Sequence, residues 1–226
     1  MKRLKEESLD KFEYIVGIDE VGLGSIAGPV VAVAIMFDKP TLQYLRTITY
    51  QPKKKTYYIT DSKQLPSEVR EYFNEKILAL YKSIGYGIVT IEELNQIQNI
   101  YQGGIIARSR ALIDLLRWTE AKPDLVLVDG PKEFEDYLKQ TVNLNIKAVV
   151  KGDEKYVSIS AASIVAKVFR DNIMKKLAEE YPYYDWEHNA GYRSPKHWKG
   201  IKKYGISKYH RVWMLHYYQN NDETIE

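Results

Sequence analysis

The sequence predicts an α/β protein in which a mixed sheet is flanked by helices, with a helical elaboration towards the C-terminal end. Short runs rich in valine and isoleucine alternate with longer segments of helical periodicity. The 226 residues are 45% hydrophobic, which is enough for a full core, and no internal repeat or long linker divides them. We therefore expect one domain over residues 1–226, with a core at about 14–180 and a basic helical part at about 181–218.

The first elements are two buried strands joined by a loop of small residues. Tyr14–Asp19 and Pro29–Phe37 are rich in Val, Ile and Ala, and the loop Gly22–Gly28 between them contains three glycines. This pattern predicts a hairpin with an elaborate turn. After a lysine-rich stretch at 51–55, a helix is predicted at 66–81, because its opening proline is tolerated in a first helical turn.

The middle of the chain alternates strands and helices. Each of its last two strands is a short apolar run that leads to an aspartate. The predicted elements are a strand at 84–90, a short helix at 92–100, a longer helix at 104–120 that Pro123 ends, and strands at 124–130 and 146–150.

The last third is predicted to be mainly helical. A helix from 158 to about 180 has an apolar stripe at steps of three and four residues, and four polar residues share another face of it. A final helix at 194–204 is stopped by Gly205. The stripe is Ile159, Ala162, Ala166, Phe169, Ile173 and Leu177, and the polar face is Ser160, Ser163, Lys167 and Asp171.

Composition excludes several classes of chemistry. The chain has no cysteine, which excludes cysteine-ligated zinc, iron–sulfur clusters and thiol nucleophiles. The uncharged run Val21–Phe37 contains three glycines and a proline, so it is a poor membrane span. The N-terminal segment Met1–Glu7 is charged and lacks the apolar core of a signal peptide. A cytoplasmic protein without a membrane partner is therefore expected.

The net charge of +3 hides an uneven distribution. Residues 139–211 carry 15 basic and 7 acidic groups, whereas residues 212–226 carry no basic and 3 acidic groups. A basic segment is often only a solvated helical surface, but its aromatic residues favour a polyanionic partner such as nucleic acid. Those aromatic residues are Tyr183, Tyr184, Trp186, Tyr192, Trp198, Tyr204 and Tyr209.

Four carboxylates lie at or just after the ends of predicted strands. Asp19 and Glu20 close the first strand, Asp129 closes a later one, and Asp153 follows another. Each alone is more often ordinary turn chemistry. Gathered at one sheet edge, they would repel one another unless divalent cations were bound, and oxygen-only ligands favour Mg²⁺ or Mn²⁺. Two such ions are a standard apparatus for cutting a phosphodiester.

Six motifs occur in an order and spacing that resemble the ribonuclease HII family over about residues 14–211. They include the acidic pair and glycine loop, the two later aspartates, and the serine-rich helix. The motifs are Gly17–Val31, Thr60–Leu65, Leu127–Gly130, Val150–Asp153, Ile159–Asp171 and Gly191-Tyr192.

The resemblance implies an RNase H-like fold and a metal-dependent endoribonuclease. Such an enzyme cuts the RNA strand of RNA–DNA hybrids and nicks 5′ to a ribonucleotide embedded in duplex DNA, leaving 3′-hydroxyl and 5′-phosphate ends. By the same resemblance, Asp19 would bridge two Mg²⁺ or Mn²⁺ ions. Asp153 would hold the ion that activates water, and Glu20 and Asp129 would hold the ion on the leaving-group side.

The resemblance also implies a set of substrate contacts. The turn Gly22-Leu23-Gly24 would present its backbone to the 2′-hydroxyl that distinguishes RNA from DNA, and Tyr192 would stack on the sugar beside the cleaved junction. Ser62, Lys63, Ser163 and Lys167 would contact phosphates. Asp171 would support the site indirectly or pair with a lysine.

One position departs from the family pattern, because the bacterial enzymes carry Gly-Arg-Gly, and the sister type HIII Gly-Lys-Gly, where this chain has Leu23. The loss of a phosphate contact makes single-ribonucleotide nicking less secure than hybrid cleavage. Type HIII carries an extra N-terminal substrate-binding domain, and it is disfavoured because only about 13 residues precede the first strand here. A monomer is expected, and 213–218 lacks the spacing of a sliding-clamp motif.

Three alternatives stay open from the sequence. One is another two-metal nuclease on the same general fold, and a second is a nucleic-acid-binding relative that has lost catalysis. The third is a hybrid-only nuclease similar to type HIII. The presence of all four carboxylates argues against the second, and the motif at 160–171 argues against the first.

Overall fold

The computed structural model describes residues 11–221. The charged segment Met1–Glu7 and the acidic groups at 222–226 lie outside the described residues. The strands are β1 (Tyr14–Val21), β2 (Val30–Asp38), β3 (Thr49–Tyr50), β4 (Tyr57–Tyr58), β5 (Ser83–Val89), β6 (Leu125–Asp129) and β7 (Ile146–Val149). The helices are α1 (Lys39–Leu45), α2 (Ser67–Leu78), α3 (Ile91–Ile97), α4 (Ile100–Trp118), α5 (Lys132–Thr141), α6 (Val157–Glu180), α7 (Trp186–Asn189), α8 (Pro195–Tyr204) and α9 (Val212–Asn221).

Five strands form one mixed sheet in the order β5-β2-β1-β6-β7, so the predicted fold class is confirmed. Strand β2 runs antiparallel to β1 and β5, while β1, β6 and β7 are parallel to one another. The predicted hairpin is therefore present, and the register that pairs Ile18 with Val128 brings the ends of β1 and β6 to one edge. The short strands β3 and β4, which flank the lysine-rich stretch, form a separate ribbon that the sequence did not predict.

Helices cover both faces of the sheet. Helices α1, α2 and α6 pack over one face around Phe37 and Phe73, and α4 and α5 pack over the other around Ile18 and Phe134. Helix α6 approaches β1 closely at Gly17, where an added Cβ would lie 2.1 Å from the carbonyl oxygen of Ser158. This contact sets the start of α6 against the strand that ends in the acidic pair.

A third core cluster joins α6 to the C-terminal part of the chain. Trp186 and Tyr184 are buried there beside Met174 of α6 and Ile26 of the β1–β2 loop. The predicted apolar stripe of α6 is correct for its first half. In the second half, Phe169, Ile173 and Leu177 are only partly buried, because this third cluster draws the other face of the helix inward. The buried residues there are Arg170, Met174 and Ala178.

Several helices differ from the sequence prediction. Helix α4 begins at Ile100 rather than at 104, because the Asn99 side chain accepts a hydrogen bond from the Gln102 amide and caps it. Helices α1 and α5 were not predicted, and α7 and α9 lie wholly or mostly in the predicted helical part at 181–218 but were not predicted individually. Within residues 11–221, no helix is both long and apolar enough to cross a membrane.

Candidate metal and nucleic-acid site

Three carboxylates meet where β1 and β6 end. Asp19 and Glu20 lie near the C-terminal end of β1, and Asp129 is the last residue of the neighbouring parallel strand β6. Their ligand oxygens all lie within 4.8 Å of one another. Asp19 is 5% exposed, and its carboxylate accepts a hydrogen bond from the Glu20 amide at 2.8 Å. We call Asp19, Glu20 and Asp129 the acidic cluster.

The fourth carboxylate, Asp153, lies next to the acidic cluster but outside the 4.8 Å group. It sits in a 3-10 turn, Gly152–Glu154, between β7 and α6, and is 8% exposed. The turn is tied to the cluster because the Gly152 amide donates to Asp129 Oδ1 at 2.6 Å. It is tied to α6 because Ser160 Oγ donates to the Asp153 carbonyl at 2.6 Å.

The electrostatics of these carboxylates favour a bound cation. Burial, and then the charges of Glu20 and Asp129, raise the pKa of Asp19 well above its usual range. Burial likewise raises the pKa of Asp129, against the opposing hydrogen bond from Gly152. Burial, with the charges of Asp129 and Asp61, raises the pKa of Asp153 to about 6. Carboxylates held together at such a cost in free energy are stabilised when a divalent ion supplies positive charge.

The donor set fits a hard metal ion. All the ligand atoms are carboxylate oxygens, which suit Mg²⁺ or Mn²⁺ better than zinc. A second acidic group, made of Asp185, Glu187 and His188, lies in the described region. In that group the Asp185 carboxylate already pairs with Lys196 Nζ at 3.3 Å and contacts His188 Nδ1 at 2.8 Å.

The loop between β1 and β2 makes a tight turn beside the acidic pair. Gly22 has a φ of +96°, which favours glycine, and an added Cβ would lie 2.3 Å from Arg170 Nε. Ser25 Oγ donates to the Gly22 carbonyl at 2.9 Å and closes the turn. Tyr192 stands beside it, with one ring carbon 3.9 Å from the Cβ position of Gly24. We call Gly22–Gly28 the glycine turn.

A cleft of about 440 Å³ opens between the acidic pair, the glycine turn and α6. It brings together all of the predicted substrate contacts, together with Asp19 and Glu20, although those contacts come from four separate parts of the chain. Asp129 and Asp153 are not among the residues that line it. The lining residues are Asp19, Glu20, Val21, Gly22, Leu23, Gly24, Ser62, Lys63, Ser163, Lys167 and Tyr192.

The polar residues of the cleft are held by specific contacts. Ser62 Oγ lies 2.9 Å from Ser163 Oγ, which joins the 3-10 turn Ser62–Gln64 to α6. Burial tends to lower the pKa of Lys63, but the nearby carboxylates, led by Asp19, outweigh it and raise that pKa. Lys167 Nζ lies 2.8 Å from Asp171 Oδ1. Lys63 is therefore cationic at neutral pH.

Sequence reasoning missed three buried arginines that organise this region. Arg170 Nε donates to the Pro29 carbonyl at 2.8 Å, and Arg211 Nη2 donates to the Gly28 carbonyl at 2.7 Å, so both hold the glycine turn. Arg108 of α4 forms an ion pair with Glu20. A signal for Arg108 was present, since it lies four residues before Leu112 on the apolar side of its helix.

The basic segment is less available to a polyanion than its charge indicates. Arg170 and Arg211 are fully buried, so they are structural rather than surface cations. Tyr184 and Trp186 are also buried, and they stack on each other at a centroid distance of 4.9 Å. Tyr183 and Tyr204 remain about half exposed and can meet a ligand.

The raised pKa of Asp153 predicts how stability of the metal-free protein depends on pH. The folded protein keeps the Asp153 proton up to a pKa of about 6, whereas the ordinary pKa of an aspartate is 3.8. The free energy of unfolding therefore falls as pH rises from about 4 to about 6, where only the unfolded chain has lost this proton, and the full penalty is present above about pH 6. Asp153→Asn, which mimics the protonated form, is expected to raise the free energy of unfolding by about 2 to 3 kcal/mol at pH 7.5 in EDTA.

At pH 3.5 the same variant is expected to match the wild type, because Asp153 is then protonated in both states. Urea unfolding at the two pH values measures both differences. The control is Asp136→Asn, at an exposed carboxylate that pairs with Lys132. A metal-free Asp153→Asn protein less stable than the wild type at pH 7.5 would contradict the prediction.

The chain matches one family model and several known sequences over most of its length. A family model described as Ribonuclease HII matches residues 16–220. The ribonuclease HII of Clostridium beijerinckii is 38% identical over 216 residues, covering 93% of this chain and 73% of that protein. The ribonuclease HII of Trichodesmium erythraeum is 39% identical over 197 residues, covering 87% of this chain and 84% of that protein.

Solved structures share the fold. The ribonuclease H2 of Pyrococcus horikoshii OT3 has a TM-score of 0.67 and 28% identity, covering 88% of this chain and 92% of that chain. An Archaeoglobus fulgidus ribonuclease HII, solved in a complex with PCNA, has a TM-score of 0.71 and 26% identity over 88% and 93% of the two chains. Bst-RNase HIII in complex with Mn²⁺ is similar in fold alone, with a TM-score of 0.66 and 18% identity over 92% and 71% of the two chains.

Proposed function

The chain belongs to the ribonuclease HII family, and from that premise we propose a specific reaction for it. Membership makes it a metal-dependent endoribonuclease that acts on RNA–DNA hybrids. We propose further that it nicks 5′ to a ribonucleotide embedded in duplex DNA and leaves 3′-hydroxyl and 5′-phosphate ends. The observation that carries this proposal is the acidic cluster beside a cleft lined by the glycine turn.

The proposed metal ligands are Asp19, Glu20, Asp129 and Asp153. Two Mg²⁺ or Mn²⁺ ions there would supply the charge that phosphodiester hydrolysis needs at the attacking and leaving oxygens. Asp19 is the most buried of the four carboxylates. It is also close enough to the other three to feel their charges, because Glu20, Asp129 and Asp153 all raise its pKa in addition to burial. That position suits a ligand shared by two ions.

The glycine turn is the proposed reader of the ribose. Its backbone is exposed to the cleft at Gly22 and Gly24, neither of which has a side chain to keep a sugar away. A backbone amide or carbonyl there can bond to a 2′-hydroxyl, which DNA lacks. The Tyr192 ring faces the same cleft, with the Lys167 amine 5.5 Å from its centroid, and offers a surface for the sugar of the next nucleotide.

The proposed phosphate contacts are amine and hydroxyl groups that line the same cleft. Lys63 and Lys167 line the cleft with Ser62 and Ser163. A lysine supplies charge, and a serine hydroxyl supplies a donor, so the wall can bind phosphates without reading the base. Asp171 contributes by holding Lys167.

The reaction is tested with three duplexes that share one sequence. A uniform RNA–DNA hybrid, a DNA duplex with one ribonucleotide and an all-DNA duplex are each incubated with Mg²⁺, with Mn²⁺ and with EDTA. We expect metal-dependent cleavage of the first two and none of the third. Tight binding of all ribonucleotide substrates without cleavage would favour a non-catalytic nucleic-acid-binding protein instead. Cleavage of the hybrid alone would favour a specificity similar to type HIII.

Leu23 is the residue we expect to limit nicking of the DNA duplex with one ribonucleotide. Its side chain is half-buried against the core cluster of α4, while its carbonyl accepts a hydrogen bond from Arg211 Nη1 at 3.1 Å. The backbone of the turn is thus fixed without the side chain. Leu23→Arg is expected to strengthen single-ribonucleotide nicking about tenfold, because a charge-assisted phosphate contact of about 1.4 kcal/mol is added.

The Leu23 comparison uses kcat/KM on the single-ribonucleotide duplex and on the hybrid. Leu23→Gln is the matched control, since it removes the same leucine packing without adding charge. Equal rates for the arginine and glutamine variants would show that a missing cation does not limit nicking.

A further inference from the structure

Arg108 forms a buried ion pair with one member of the acidic cluster. Its side chain is 2% exposed, and Nη2 contacts Glu20 Oε2. Nη1 donates to the Gly104 carbonyl at 3.1 Å, and the guanidinium carbon lies 4.0 Å from the centroid of the Phe134 ring. A charge buried in this way is costly unless its partner is well placed.

The surroundings of Arg108 are shaped to hold it there. Position 104 is a glycine, and an added Cβ would lie 2.9 Å from Arg108 Nη1 and 3.2 Å from a methyl of Leu23. Arg108 Nε is buried with no hydrogen-bond partner in the described part of the chain. Because the guanidinium is buried and its two terminal nitrogens contact Glu20 and the Gly104 carbonyl, it does not reach the surface where a phosphate would bind.

The charge of Arg108 acts on the whole acidic cluster. Arg108 Nη2 contacts the Glu20 carboxylate. Glu20 in turn has an oxygen within 4.8 Å of ligand oxygens of both Asp19 and Asp129, so the guanidinium charge lies close to all three carboxylates. The cation therefore neutralises part of the negative charge that a divalent ion would otherwise meet.

We propose that Arg108 is a positioning residue that holds one oxygen of Glu20 and sets the divalent-metal affinity of the site below that of the carboxylates alone. This inference rests on the proposed metal site. Two effects oppose each other when Arg108 is neutralised: the ions lose a nearby repelling charge, and Glu20 loses a fixed orientation. The charge effect is the larger, because a divalent ion doubles each Coulomb interaction, and burial limits screening.

Metal affinity measured without substrate tests the proposal. Isothermal titration of Mn²⁺ into the full chain is compared for the wild type, Arg108→Gln and Arg108→Lys. Glutamine keeps a polar donor on an unbranched stem but removes the charge, so we expect Mn²⁺ to bind about threefold to tenfold more tightly. Lysine keeps the charge and is expected to stay within about twofold of the wild type.

The matched control is Arg110→Gln, two residues along the same helix. Arg110 pairs with Glu93 at 2.6 Å, with 43% of its side chain exposed, so the same charge is removed away from the cluster. Its Mn²⁺ affinity is expected to be unchanged. Unchanged or weaker Mn²⁺ binding by Arg108→Gln would overturn the proposal. Absence of Mn²⁺ binding by the wild type would instead overturn the metal site itself.

A second variant keeps the test decisive if Arg108→Gln does not fold. Arg108→Met removes the same charge with an unbranched side chain that favours a helix and leaves no buried donor at this position. Mn²⁺ is expected to bind about threefold to tenfold more tightly than it does to the wild type, as for Arg108→Gln. An unchanged or weaker affinity in a folded Arg108→Met protein would overturn the proposal.

Discussion

Asp129→Asn is expected to reduce cleavage of the RNA–DNA hybrid by about 100- to 1,000-fold or more, while the protein stays folded and binds the hybrid. Asparagine has nearly the same shape as aspartate but carries no charge. Asp129 is one of three carboxylates within 4.8 Å, so the change removes about a third of the charge offered to a metal ion there. Its oxygen can still accept the Gly152 amide, which lies 2.6 Å away, so the local backbone is retained.

Three measurements separate chemistry from binding for this variant. Single-turnover cleavage gives the rate, fluorescence anisotropy with a labelled hybrid gives the affinity, and thermal melting gives the stability. In EDTA the variant is expected to melt no lower than the wild type, because burial and the charge of Glu20 raise the pKa of Asp129.

The control for Asp129 is Asp136→Asn, which makes the same change on α5. The Asp136 carboxylate is 52% exposed and pairs with Lys132, outside the acidic cluster. It is expected to cleave as the wild type does. If Asp129→Asn retains more than a tenth of the wild-type rate, Asp129 does not hold a catalytic metal ion.

The carboxylate positions could be predicted from the sequence because they depend on strand periodicity and on a recognisable set of motifs. An aspartate that follows an apolar run lies at the end of its strand, whichever strand is its neighbour. Asp19 and Asp129 meet because β1 and β6 are adjacent and parallel, so that their C-terminal ends lie side by side. Strand order is a long-range property, and the resemblance to ribonuclease HII supplied it. Asp153 shows the limit, because its distance from the cluster depends on the turn after β7.

The buried arginines could not be placed from the sequence because their partners are remote. Arg170 bonds to the carbonyl of Pro29, which is 141 residues earlier, and Arg211 bonds to Gly28, 183 residues earlier. A backbone carbonyl leaves no mark in a sequence. Both arginines therefore counted towards a basic surface, although they are buried scaffold.

Helix boundaries failed for a related reason. The sequence predicted a helix start at 104, and both Gly103 and Gly104 are poor helix formers. In the structure both lie inside α4, where the glycine at 104 leaves room for Arg108 and Leu23. These glycines are needed because side chains from elsewhere in the fold pack against them, and helix propensity along the sequence does not reveal such contacts.

Arg170→Met is expected to lower the free energy of unfolding by about 3 to 5 kcal/mol, or roughly 10 °C in melting temperature. The guanidinium of Arg170 donates four hydrogen bonds, and all four acceptors are buried in or beside the glycine turn. Methionine fills the volume but donates none, so each acceptor loses its partner. The acceptors are the carbonyls of Pro29 at 2.8 Å, Ala190 at 2.7 Å and Ala27 at 3.0 Å, and Ser25 Oγ at 2.7 Å.

Lys175→Met is the matched control for Arg170, on the same helix. The Lys175 side chain is 49% exposed and its amine lies 3.7 Å from Glu71, so its loss is expected to change stability by less than about 1 kcal/mol. A melting temperature for Arg170→Met within about 2 °C of the wild type would show that the turn is held without Arg170.

Arg170→Met also separates the glycine turn from the acidic cluster. Arg170 donates to the carbonyls of Ala27 and Pro29 at the C-terminal end of the turn and lies 5.5 Å from the Tyr192 ring, whereas the acidic cluster is held by β1 and β6. At a temperature where the variant is folded, Mn²⁺ affinity should therefore match the wild type, and KM for a single-ribonucleotide duplex should rise. Loss of Mn²⁺ binding together with the rise in KM would mean that the turn and the metal ligands form one cooperative unit.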